Sequence, residues 1–176
     1  MATTAITGNR ELVRRPSMPA GVLPVTTVGT NMVLLLMAAP AVAALVYYTG
    51  GHVDSDLAIV PLAMLVQFVL TLGAAYFVAG LNVRFRDTQQ LVPLFLLLLF
   101  FVSPVFYAVS NVPAQYQGLY NLNPFVILLN AYRAPFLVGA APNLLQLTEL
   151  GLVAILVGLL GHVFFRRASR RFAEEV

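Results

Sequence analysis

The chain has 176 residues, 60% of them hydrophobic and 10% charged, with ten basic and seven acidic side chains giving a net charge of +3. Charge-free stretches cover 16–53, 57–83, 88–132, 134–148 and 150–165; several exceed the ~20 residues that cross a bilayer as a helix, which excludes a soluble globular domain. Cysteine is absent and every basic residue is arginine, which excludes disulfide frameworks, cysteine–zinc sites, thiol chemistry and the lysine-dependent P-loop of a nucleotide-hydrolysing subunit.

Residues 1–26 are polar to mixed, with Arg10, Arg14 and Arg15 set against Glu11. The first apolar run, about 27–48, reads as a spanning helix kinked at Pro40, a position tolerated where a neighbouring helix satisfies the freed carbonyl. Its uninterrupted length and the prolines before it argue against a cleaved leader. A short loop with Asp54 and Asp56 leads to the second run, 57–80, which ends at Asn82-Val83-Arg84-Phe85-Arg86-Asp87. Arg84, Arg86 and Asp87 there form a tight polar turn, for which a local Arg–Asp pair is the structural reading.

The third run, about 91–109, is rich in leucine and phenylalanine, and the fourth, about 147–165, is followed by Arg166-Arg167-Ala168-Ser169-Arg170-Arg171. The fold class expected is an all-α polytopic membrane protein, with four transmembrane helices in a single domain. All arginines except Arg133 fall in 1–26, 81–90 and 166–176. Basic flanks are retained on the cytoplasmic side, so both termini are expected there.

Between the third and fourth runs lies a segment, 110–139, too apolar for an aqueous loop yet repeatedly broken by proline. Asn123-Pro124 reads as a helix N-cap followed by proline at the first helical position, and Pro135 reads as the stop of that helix. About eleven residues at 1.5 Å each reach roughly half of the ~30 Å hydrocarbon core, so the segment cannot span. Two arrangements remain open. In one, a re-entrant helix pair forms an outer gate, with Arg133 capping a channel mouth. In the other, an interfacial pair lies flat, with Tyr107, Tyr116, Tyr120 and Tyr132 at the headgroup level and Arg133 facing lipid phosphate. Phe68, Phe77, Phe95, Phe100, Phe101 and Phe106 are candidates for stacking on sugar rings or, more simply, for packing and lipid contact.

Several blocks together resemble a known family. Asn9-Arg10-Glu11-Leu12-Val13-Arg14-Arg15, with Met18-Pro19 and Leu23-Pro24, is similar to the cytoplasmic coupling segment of ABC-2 type transporter permeases. Leu81 to Asp87, Phe101-Val102-Ser103-Pro104-Val105-Phe106-Tyr107, and Leu122-Asn123-Pro124-Phe125 with Tyr132-Arg133 resemble later blocks of that family in the same order. The subgroup most similar exports polysaccharides and polyol phosphates such as O-antigen, teichoic acid and galactan. The resemblance covers the later part of such permeases and lacks their first two transmembrane helices, so the chain is expected to correspond to an amino-terminally shortened domain.

The resemblance implies a permease in the bacterial cytoplasmic membrane that pairs with a second copy of itself. It further implies that Glu11, Leu12, Val13, Arg14 and Arg15 dock a separate ABC ATPase subunit, which carries the ATP and Mg, so that no catalytic residue and no cofactor belongs to this chain. Pro104, Tyr107, Asn123, Pro124, Arg133 and Pro135 would then form the outer gate. The substrate implied is a lipid-linked glycan, and no metal site or nucleic-acid partner is expected. Two other readings are a drug or small-lipid exporter and a non-transporting remnant. A membrane-integral sugar transferase is a further alternative from another class, and Asp54 with Asp56 would be its only acidic pair.

Overall fold

The computed structural model describes residues 21–49, 59–85, 87–105, 113–134 and 143–172. Among these residues all regular structure is helical. In chain order the helices are α1 (Val22–Tyr48), α2 (Ile59–Arg84), α3 (Thr88–Val102), α4 (Ala114–Asn121), α5 (Pro124–Arg133) and α6 (Leu144–Phe172). Helices α1, α2 and α6 are long and apolar enough to cross a membrane. The chain is a multi-pass membrane protein.

The third apolar run differs from its sequence-based boundary, which lay at 109. Helix α3 has 15 residues and stops at Val102, about 22 Å at 1.5 Å per residue. Proline disfavours helical backbone in the residue before it, and Ser103, which precedes Pro104, is extended with φ −83° and ψ 145°. The fourth run differs in the opposite sense. Helix α6 continues through Arg166 and Arg167 to Phe172, because arginine is a good helix former and charge ends the lipid-facing window without ending the helix.

Polar residues at the start of α1 are satisfied within the helix. Thr26 donates to Leu23 O, Thr27 to Leu23 O, Thr30 to Thr26 O and Asn31 to Thr27 O, all at 2.8–3.0 Å. Such back-bonding lets hydroxyl and amide groups sit in an apolar helix without unpaired donors. Beyond this region α1 stands largely apart: only Pro24 and Val28 are buried.

Helices α2 and α6 form the centre of the molecule and run parallel, as the order of their contacts shows. Ala63 and Val66 share a cluster with Leu147, Leu150 and Ala154, Gly73 meets Gly158, and Tyr76 and Ala79 pack on Phe165. At the crossing the backbones touch. A Cβ placed on Gly73 would lie 2.6 Å from the Gly158 nitrogen and 2.7 Å from its Cα. One placed on Gly161 would collide with the Gly73 carbonyl. Small residues permit this approach, which is how helices associate in lipid, where van der Waals packing replaces the hydrophobic effect. Phe77 stacks on Phe164 at 4.8 Å beside the crossing, so this phenylalanine serves packing. Phe95 and Phe101 are exposed on α3.

The parallel pair defines two ends. Arg84, Arg166, Arg167 and the start of α1 lie at one, the basic end. Helix α5 and the first turns of α2 and α6 lie at the other, the far end.

Candidate functional site

The far end is built where α3 breaks. A helix that stops leaves its last carbonyls without intrahelical donors, and in a membrane such groups must be satisfied by protein. Leu99 O accepts from Ser103 N at 2.9 Å. The Tyr120 hydroxyl, from α4, donates to Val102 O. The Arg133 guanidinium, from the last turn of α5, donates to Pro104 O at 2.5 Å and to Val105 O at 2.7 Å. This side chain is half-buried and turned onto backbone carbonyls, where it clips α5 to the break in α3. Ser103 Oγ is buried beside the clip with no partner among the described residues.

Helix α5 is set by its first two residues. Asn123 is its N-cap, with extended backbone and a side chain that accepts from Phe125 N at 3.0 Å, and Pro124 occupies the first turn. One face of the helix is buried through Val126, Leu128 and Ala131. Leu128 and Ala131 enter the cluster formed by Ala63 and Val66 of α2 and by Leu147, Leu150 and Ala154 of α6. The Tyr132 hydroxyl donates to Gln67 Oε1 at 2.6 Å. The α5 seat therefore lies on protein, within the first turns of two spanning helices, and is fixed by a polar bond at Gln67 and a bidentate clip at Arg133.

Pro104 and Arg133 are thus brought together, Asn123 and Pro124 start the helix whose last turn carries Arg133, and Tyr107 and Pro135 lie outside the described residues. The docking candidates Glu11, Leu12, Val13, Arg14 and Arg15 also lie outside them, as does Arg86. At the basic end the Arg84 guanidinium lies over the Phe85 ring, 5.7 Å from its centroid. Asp87 precedes α3 without a side-chain capping bond. Among the described residues no group of histidine and acidic side chains is placed to hold a metal ion.

Tyr120 and Tyr132, read from the sequence as aromatics at the headgroup level, act here as hydrogen-bond donors, and the residues absent from that reading are Gln67, the glycines of the crossing, and Tyr76. The last of these donates from its hydroxyl to Gly21 O at 3.1 Å. The glycines carried a readable pattern, since Gly151, Ala154, Gly158 and Gly161 repeat at three- and four-residue spacing along one helix face. The tyrosine bonds join residues far apart in sequence and carried none.

Residues 7–137 match the model of the ABC-2 type transporter family. The O-antigen export system permease protein RfbA of Myxococcus xanthus is 30% identical over 175 residues, covering 98% of this chain and 67% of that protein. A protein of the same name from Klebsiella pneumoniae is 25% identical over 167 residues, covering 94% of this chain and 64% of its own length. The chain thus spans about two thirds of the length of these relatives.

Proposed function

The chain belongs to the ABC-2 type transporter family, and from that membership we propose that it acts as the permease subunit of an ATP-driven exporter of lipid-linked polysaccharide. The basic end faces the cytoplasm of a bacterium, both termini lie on that side, and the far end faces outward. Two copies pair in the membrane, and a separate ABC ATPase, which binds the ATP and Mg, docks beneath them on residues 9–19. Its closure moves that segment, and the outer gate formed by α4 and α5 opens. The observation that carries this reading is the seat of α5, a short proline-started helix packed on the outer ends of α2 and α6 and clipped by Arg133 to the broken end of α3. A helix held in this way closes a path and can be released. The names of the relatives support a glycan as cargo. Arg84, Arg166 and Arg167 are exposed at the inner end, where guanidinium groups suit the phosphate of a lipid-linked headgroup through bidentate bonds.

Replacing Leu12 and Val13 with aspartate tests the docking surface. The paired substitution is expected to abolish co-purification of the ATPase while membrane insertion is retained. A complex that survives with unchanged ATPase activity would reduce residues 9–19 to a basic flank.

A further inference from the structure

We infer that Tyr76 is a positioning residue that transmits movement of the amino-terminal segment to the outer gate. The inference rests on the reading of residues 9–19 as the ATPase-docking segment. The Tyr76 side chain is 7% exposed, and its hydroxyl donates to the Gly21 carbonyl at 3.1 Å. Gly21 is the residue at which the chain enters α1, and no side chain caps that helix start. Helix α1 is buried only at Pro24 and Val28, so its hold on the rest of the molecule is confined to its inner end. The Tyr76 ring packs against Phe165 at 5.5 Å and His162 at 5.2 Å, both on α6. The glycine crossing at Gly73 and Gly158 lies one turn outward from Tyr76 and locks α2 to α6. Further along the same helix come Gln67, which holds Tyr132, and Ala63 and Val66, which seat α5. From Tyr76 to Gln67 is about 14 Å along the helix axis. One rigid pair therefore carries the anchor of the inner segment on one half and the seat of the gate helix on the other. A pull on Gly21 reaches α5 through it.

The test is Tyr76→Phe in the complex of the chain with its ATPase, reconstituted in vesicles. The ring packing is kept and only the bond to Gly21 is lost. Leu128→Cys, introduced into a chain with no native cysteine, reports gate opening by its rate of thiol labelling. In the otherwise unsubstituted chain ATP is expected to raise that rate. In the Tyr76→Phe chain the increase should fall roughly fivefold, the factor that corresponds to one lost hydrogen bond of about 1 kcal/mol, while the ATPase still binds and hydrolyses ATP. A tyrosine that served packing alone would lower the melting temperature and leave the ATP-dependent increase intact; that result would overturn the inference and leave the docking reading standing. No response to ATP in the otherwise unsubstituted chain would overturn both.

Discussion

Replacing Arg133 with leucine is expected to free α5 from the end of α3 while the spanning helices still insert. The guanidinium supplies donors to two carbonyls, Pro104 O and Val105 O, at the break in α3. A buried carbonyl that loses its donor costs ~1–3 kcal/mol, so the pair costs up to ~2–6 kcal/mol. Leucine replaces the apolar stem of arginine and none of its donors, which makes the loss specific to hydrogen bonding. Arg133→Lys should fall between, because an ammonium group lacks the planar fork that meets two carbonyls at once. The measurement is thiol labelling of Leu128→Cys in the absence of ATP, together with a melting curve in detergent. Fast labelling at rest and a lowered melting temperature are expected for Arg133→Leu. Labelling as slow as with arginine, at unchanged stability, would show that α5 is held by its apolar face alone.

Gly73→Leu should prevent α2 and α6 from reaching their packed distance and so abolish the folded protein. Even Gly73→Ala brings a Cβ to 2.6 Å from the Gly158 nitrogen, and that contact is with backbone, which cannot rotate away. Overpacking of this kind costs about 1–3 kcal/mol, which outweighs the ~1 kcal/mol that alanine gains over glycine in a helix. Gly29 supplies the control. A Cβ there meets nothing within 4 Å, so Gly29→Ala should be neutral or slightly stabilising. Melting temperatures of the two alanine variants should therefore move in opposite directions from the unsubstituted chain. A Gly73→Ala chain as stable as Gly29→Ala would mean that the helices do not touch at this crossing.

The features legible in the sequence are those encoded locally. Charge-free runs marked the membrane segments, since no soluble helix can dispense with charged residues over such lengths. Asn123-Pro124 marked the start of α5 because capping and a preset φ act within two or three residues. Helix ends were less legible: charge at Arg166 suggested a stop that helix propensity overrides, and the apolar run to 109 masked the stop that Pro104 imposes at Val102. The contacts that make a site of these pieces were not legible at all. Arg133 meets Pro104 across 29 residues, Tyr132 meets Gln67 across 65 and Tyr76 meets Gly21 across 55. Each depends on the packing of whole helices, which the residues local to an arginine or a tyrosine do not encode.

The central claim is that α5 is an outer gate which ATP turnover releases, and its most direct measurement is the accessibility of Leu128. This residue is 7% exposed, in the cluster shared by α2, α5 and α6. In vesicles containing the chain with Leu128→Cys and its ATPase partner, a membrane-impermeant thiol reagent applied from the outer side should react slowly at rest and rapidly while ATP is hydrolysed. An equal rate with and without ATP would contradict the account and make α5 a fixed anchor on the outer ends of the spanning helices.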